Sequence, residues 1–356
     1  MITTLEIENF RCFKHLKLEH LSQINIIVGR NGSGKTALAE ALVTVLTPVT
    51  KMWQLRDLRK GSGSMLVNLR ARDFRGLWRH FFYAMQEDST IHIKVSGTET
   101  TDANEIALYY DKARDEETVS LSLVENMMNA DADYLFPLVF SQKTAAGDSK
   151  DYHLTVAPNG VNITPAPVSL EKETLFYPAN TKHDLGEAAE RFSELSKKGN
   201  TKKVVNTIKK LYPFIQDLSI ELDLGQPSIF ASVEGIKEKM PIQYLSEGVY
   251  RLLSILLGIV SYPSTVIIID EIENGLYYET FDEIWRTLLE FAKEYNTQLF
   301  ITTHSQECLN AAANVAKGHE EKFSLLRTEI KDKEWQVKRF NGLAFRMAIE
   351  QNGEVR

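Results

Sequence analysis

The chain has 356 residues, 43% hydrophobic and 25% charged, with a formal net charge of −7. That length supports one large domain or two modest ones, and the composition excludes wholesale disorder. An acidic total excludes a protein that coats nucleic acid through bulk charge. Two cysteines, Cys12 and Cys308, cannot build a disulfide framework, which fits a reducing, cytoplasmic setting. Met1 to Phe13 alternates polar and apolar residues, unlike a signal peptide. The longest apolar stretch, Leu252 to Ile269, is broken by Ser254, Ser261, Pro263 and Ser264, so neither a membrane span nor a membrane partner is expected.

In chain order, residues 2–9 and 24–28 read as strands. The second, Ile24-Asn25-Ile26-Ile27-Val28, is the short β-branched run of a strand buried on both faces of a parallel sheet. A Gly-rich turn follows, then a helix from Thr36 to Leu46 with Leu38, Ala41, Leu42 and Val45 at helical spacing. Short strand-like pieces then alternate with polar turns: Ile91 to Val95, Ile106 to Tyr110, Val119 to Val124, Leu135 to Phe140 and Tyr152 to Val156. They predict a mostly antiparallel insertion. Residues 183–212 read as helical. A second α/β segment begins near Gln243: a helix from Glu247 to Val260, a strand from Thr265 to Ile269, a helix from Tyr278 to Tyr295 and a strand from Gln298 to Thr302. A final hairpin pairs Phe323 to Ile330 with Trp335 to Phe340 and turns at Lys331-Asp332-Lys333. Two stretches, Lys51 to Arg79 and Arg191 to Lys210, are locally basic. They read either as solvated helical faces or as a surface for the phosphates of DNA or RNA.

Gly29-Arg30-Asn31-Gly32-Ser33-Gly34-Lys35-Thr36 fits G-x-x-x-x-G-K-[ST] between a predicted strand and a predicted helix. The glycines let backbone N–H groups of Asn31, Gly32, Ser33 and Gly34 wrap phosphate oxygens, and the helix start offers its positive dipole end. Lys35 is expected to neutralise the β- and γ-phosphates of ATP, and the Thr36 hydroxyl to ligate Mg²⁺. Thr265-Val266-Ile267-Ile268-Ile269-Asp270-Glu271 is a β-branched strand ending in two acids. Carboxylates belong past such a strand's end, where ligands of open α/β sheets bind. Asp270 is the expected Mg²⁺ ligand, and Glu271 the group that orients and deprotonates the attacking water.

Leu245-Ser246-Glu247-Gly248 precedes an apolar helix. Ser246 and the Gly248 amide read as a second anion site, or Ser246 simply as a helix cap. His304 ends the strand Gln298 to Thr302, where an imidazole either serves the structure or contacts a γ-phosphate or its attacking water.

Together these motifs resemble the ABC-type ATPase head of the RecF/SMC group, and within it the subgroup related to the overcoming-lysogenisation-defect (OLD) ATPases. The likeness rests on Ile7-Glu8-Asn9-Phe10-Arg11-Cys12-Phe13, the loop at 29–36, Leu245 to Gly248, Asp270-Glu271-Ile272-Glu273-Asn274-Gly275-Leu276, Thr302 to Ser305 and Tyr177-Pro178-Ala179-Asn180. It implies a P-loop NTPase of ABC-head type, with a mixed central sheet, an antiparallel β insertion and a helical subdomain. A single head over 1–356 would comprise a P-loop half (1–64), the β insertion (65–182), a helical lobe II insertion (183–240) and a half with signature, Walker B and His switch (241–356). Arg11 would approach the nucleotide phosphates. Ser246 and Gly248 would complete the site of a second subunit, Asn274 and Gly275 would lie at that dimer interface, and His304 would be the switch residue. The signature turn only partly matches L-S-G-G-Q. For the metal-binding glutamine the candidate is Gln142, for which a solvated strand end is the competing reading. No heptads separate Lys35 from Ser246, so long coiled-coil arms are excluded, and the chain after His304 is too short for a TOPRIM nuclease domain. The implied activity is Mg²⁺-dependent ATP hydrolysis with head-to-head self-association. Its implied setting is anti-phage defence beside a separately encoded effector. The alternatives are a RecF-like repair ATPase that binds duplex DNA, and a weakly hydrolysing nucleotide-binding scaffold.

Overall fold

In the computed structural model of the protein, residues 1–51, 76, 78–99, 103–111, 138–144, 149–157, 160–167, 174–179 and 185–351 are described. The chain opens with β1 (Ile2–Phe10), β2 (Phe13–Leu18), β3 (Ile24–Val28) and α1 (Lys35–Leu46). Strands β4 (Ile91–Gly97), β5 (Asn104–Tyr110), β6 (Leu138–Thr144), β7 (Ser149–Ala157), β8 (Gly160–Thr164) and β9 (Leu175–Tyr177) follow. Then come α2 (Leu185–Lys197), α3 (Lys202–Leu211), β10 (Ile215–Asp223), β11 (Gln226–Val233), β12 (Met240–Pro241), the single turn α4 (Ile242–Leu245) and α5 (Glu247–Ser261). The chain continues through β13 (Val266–Ile269), α6 (Phe281–Glu294), β14 (Gln298–Thr302), α7 (Gln306–Ala316), β15 (Phe323–Lys331), β16 (Glu334–Asn341) and α8 (Gly342–Glu350). These elements fall into two compact units.

The first unit comprises Met1–Leu21, Asn31–Glu171 and Thr328–Lys338. Its seven-stranded sheet has the order β2-β1-β4-β5-β6-β7-β8, with antiparallel neighbours throughout. Alternation sets the faces: β4 buries Ile91, Ile93 and Val95 and exposes His92 and Lys94. The predicted antiparallel region therefore shares one sheet with the amino-terminal hairpin, because β1 pairs with β4 (Leu5 opposite Val95, Ile7 opposite Ile93). The β1–β2 connection is tight, with Phe10 opposite Phe13, and Arg11 adopts a left-handed φ of 53°. Helix α1 packs on β4 and β5, and Asn104 donates to the Val45 carbonyl. Phe10, Trp78 and Phe81 form a buried aromatic cluster. The strand read at Val119 to Val124, most of the basic stretch from Lys51 to Arg79, and Asn180 lie outside the described residues.

The second unit comprises Ser22–Arg30, Lys172–Arg327 and Arg339–Arg356. The order β16-β15-β3-β14-β13-β9 forms a six-stranded sheet in which β15, β3, β14, β13 and β9 run parallel. Every residue of β3 and β14 is buried, as the unbroken apolar run of β3 predicts. Asn25 is tolerated there because its side chain bonds the Ser22 amide and carbonyl and the Ser324 hydroxyl. Helix α5 is buried over almost its whole length, and α6 presents Ile284, Trp285, Leu288 and Leu289 to the core. Helix α6 begins at Phe281 rather than at Tyr278, because Tyr278–Thr280 forms a separate 3₁₀ turn. The helical reading of 183–212 corresponds to α2 and α3. Beyond it, β10 and β11 pair as a hairpin that turns at Leu224 and Gly225, both with positive φ. No helix among the described residues is long and apolar enough to cross a membrane.

Candidate functional site

The phosphate-loop motif leaves β3 at its carboxyl end. Gly29, Gly32 and Gly34 all take positive φ (149°, 79° and 104°), which side-chain-bearing residues adopt only under strain. Gly34 is also tightly surrounded, since a Cβ there would stand 3.0 Å from both Cys12 Sγ and Phe13 Cζ. Around Gly32 the space is open: nothing lies within 4 Å of where a Cβ would sit. Gly34 is the N-cap of α1 and supplies no side-chain cap, so the first-turn N–H groups have no side-chain acceptor from the cap. Arg30, Asn31 and Gly32 are exposed, Lys35 and Thr36 are half-buried, and Ser33 is buried. The carboxy-terminal hairpin braces the loop, with Ser33 Oγ 2.5 Å from Thr328 Oγ1 and Trp335 Nε1 donating to the Gly32 carbonyl at 3.0 Å. Residues so remote in sequence gave no signal of this contact.

Arg11 is held from three sides. Its Nε lies 3.0 Å from Glu40 Oε2 on α1, its Nη1 donates to the His80 carbonyl at 3.0 Å, and its guanidinium stacks 4.0 Å from the Phe81 ring centre. Glu40 is almost fully buried, and a carboxylate buried on a helix needs such a partner. Gln142 occupies the interior of β6, opposite Ile106 and Lys150, and is buried. The solvated strand end is thus corrected: strand pairing carries β6 on to Thr144. Its Nε2 has no hydrogen-bond partner.

In the second unit, the parallel registers align strand ends. Ile269 lies beside Ile301 and Tyr177, and Thr302 beside Ile27, so Gly29, Asp270, Thr303 and Pro178 all follow strands at one sheet edge. Thr302 joins the two acids: its hydroxyl donates to Asp270 Oδ1 at 2.5 Å and accepts the Glu271 N–H at 2.7 Å. Glu271 takes a left-handed φ of 52°, and the Asn274 amide donates to Glu271 Oε2 at 2.9 Å. Arg251 on α5 is buried beneath this edge. Its Nη1 donates to the Pro178 carbonyl at 2.8 Å, and its Nη2 to the Asp270 carbonyl at 2.5 Å. Burial lowers the Arg251 pKa, against the opposing pull of Asp270, Glu247 and Glu271. His304 lies with Nδ1 3.0 Å from Glu273 Oε1 and 3.8 Å from Glu271 Oε1.

Ser246 is the N-cap of α5 and its hydroxyl accepts the Val249 N–H at 3.3 Å, as the capping reading expects. Gly248 meets Gly275 backbone to backbone, since a Cβ on Gly248 would fall 1.9 Å from the Gly275 carbonyl oxygen. Asp270, Glu271, His304, Ser246 and Gly248 therefore belong to one unit. Lys35, Thr36, Arg11 and Gln142 belong to the other. Sequence reasoning gave no role to Arg251, Thr302 or Glu273. A single cation within an otherwise apolar helix was the available signal for Arg251.

Residues 1–323 match the model of the RecF/RecN/SMC N terminal domain. The chain is 22% identical over 344 residues to an ATP/GTP phosphatase of Helicobacter pylori, covering 89% of each protein. A shorter segment of 47 residues is 49% identical to the DNA replication and repair protein RecF of Thermomicrobium roseum, covering 13% of this chain and 12% of that one. Among solved structures, the SMC head domain from Thermotoga maritima is similar, with a TM-score of 0.47 and 14% identity, covering 96% of this chain and 99% of that one.

The two glycine environments separate steric from conformational cost. Gly248→Ala must push the Gly275 backbone away, whereas Gly32→Ala meets only the strain of positive φ, about 1–2 kcal/mol. Thermal unfolding is therefore expected to show a clearly larger loss of melting temperature for Gly248→Ala than for Gly32→Ala.

Proposed function

The chain belongs to the RecF/RecN/SMC N-terminal domain family, the group of ABC-type ATPases, and from that premise we propose that it hydrolyses ATP with Mg²⁺. The observation that carries this reading is the Asp270–Thr302–Glu271 arrangement at the carboxyl edge of the parallel sheet, from which the phosphate loop also departs. The left-handed glycines, the open space at Gly32 and the lack of a side-chain cap on α1 fit a polyphosphate. A threonine hydroxyl (Thr36) and a carboxylate (Asp270) are hard oxygen donors that suit Mg²⁺, and they are the residues assigned to hold it. When bound, the ion supplies charge neutralisation for the transferring phosphoryl group.

The remaining roles fall to the chain's own groups. The N–H groups of Asn31 to Gly34 and the Lys35 ammonium bind and orient the phosphates. Glu271, braced by Asn274 and by the hydrogen bond its backbone N–H donates to Thr302 Oγ1, accepts the proton of the attacking water. Arg11 approaches the phosphates from its mount on Glu40 and Phe81. Gln142 is the remaining metal-side candidate, through its side-chain carbonyl oxygen. Two heads associate around ATP, with Ser246 and Gly248 of each facing the other's nucleotide. Hydrolysis then couples to a separately encoded effector, in the anti-phage setting implied by the OLD-type motifs. The ATP/GTP phosphatase name of the Helicobacter pylori relative agrees with a hydrolytic reading. Glu271→Gln is expected to lower steady-state phosphate release by at least about 10²-fold while ATP still binds. Unchanged turnover in that variant would remove the assignment.

One observation favours binding duplex DNA as a second reading. A groove of about 580 Å³ between α2, α3 and β10 is lined by Lys197, Lys202 and Lys209, with Asp217 as its acid. Lys203 and Lys210 are instead engaged by Glu294 and Glu283. If DNA lies there, Lys202→Ala/Lys209→Ala weakens binding and reduces the salt slope of log K by about 2. An unchanged slope would place DNA elsewhere.

A further inference from the structure

We propose that Glu273 is a positioning residue for His304, holding the ring in its Nδ1–H tautomer so that Nε2 presents the acceptor lone pair to the water that attacks the nucleotide. This rests on the ATPase reading above.

Glu273 Oε1 accepts the His304 backbone N–H at 2.7 Å and the Ser305 N–H at 3.2 Å, and it lies 3.0 Å from His304 Nδ1. The Glu273 side chain is 9% exposed and that of His304 is 53% exposed. A carboxylate is buried against the root of a histidine whose ring reaches solvent. An ionised carboxylate only accepts hydrogen bonds, so Nδ1 must carry a proton, and in a neutral ring Nε2 is then the acceptor.

The carboxylate has further work to do. Glu273 Oε2 is buried with no hydrogen-bond partner. Burying a carboxylate is costly, and the contacts made by Oε1 are what offset that cost. Helix capping does not account for its position, because Ser305 already caps α7 by accepting the Cys308 N–H at 3.1 Å. The turn Asp270 to Leu276 holds Glu273 in place. It is pinned by Ile272 N–H to the Thr302 carbonyl, Asn274 N–H to the Glu271 carbonyl and Leu276 N–H to the Glu273 carbonyl, each at 3.1 Å. The same turn carries Glu271, so one rigid segment orients both the proposed base and the imidazole. In sequence this is the third acid of Asp270-Glu271-Ile272-Glu273, two residues beyond the proposed base.

The test begins with the nucleotide-free protein, labelled with ¹⁵N-histidine and studied by long-range ¹H–¹⁵N correlation at a pH where the ring is neutral. His304 is expected in the Nδ1–H form. In Glu273→Gln, which keeps an oxygen acceptor for the two backbone amides but loses the charge, the signal should move toward the Nε2–H form. Phosphate release should fall about 10- to 100-fold in Glu273→Ala, with KM for ATP within about 3-fold of wild type. The double variant Glu273→Ala/His304→Ala should be no slower than His304→Ala alone. Wild-type His304 in the Nε2–H form, or a double variant slowed by the product of the single effects, overturns the proposal. An Nδ1–H ring in a chain that hydrolyses no ATP contradicts the ATPase reading and leaves the ring assignment standing.

Discussion

A fully buried parallel strand can release its chain into polar company only at its end, and Thr302 organises that point here. Its side-chain oxygen donates to the Asp270 carboxylate and accepts from the Glu271 amide. The acids after β13 are therefore fixed to β14 rather than left on a mobile loop. Arg251 completes the arrangement from below by bonding the carbonyls of Pro178 and Asp270. Buried carbonyls at a sheet edge need donors, and a guanidinium with several N–H groups serves two strands at once. Preorganised acids matter because hydrolysis of a phosphoanhydride depends on positioning and charge neutralisation more than on covalent chemistry.

The phosphate loop follows a related logic in its own unit. Gly32 and Gly34 curl the chain with positive φ, and Gly34 also has no room for a side chain. The hairpin strands β15 and β16 contribute Thr328 and Trp335 to the loop's far side. Arg11 is mounted on Glu40 of the same helix that begins with Lys35. Ion pairing and stacking thus fix the Arg11 guanidinium in place.

Much of this was legible in the sequence because local patterns carried it. The β-branched runs of β3, β13 and β14, the glycine spacing and the acids after Ile269 are contiguous signals, and their elements form where expected. The β10–β11 hairpin and β9 were not read. The first turns at Leu224-Gly225 rather than at a typical Asn-Gly, and β9 is only three residues long. The competing reading of Gln142 as a solvated strand end fails because its partners, Ile106 and Lys150, are distant in sequence. Glu40, Arg251 and Glu273 were missed as partners for the same reason. A buried charge is recognisable only through the groups that satisfy it, and those groups come from other elements.

The account depends most on the loop at 29–36 holding a magnesium nucleotide. Isothermal titration of ATP into the nucleotide-free chain with saturating Mg²⁺ tests this directly. The account predicts saturable heat that disappears in Lys35→Ala while the variant keeps its circular dichroism spectrum. No heat with the wild-type chain, or the same heat from both proteins, would contradict it.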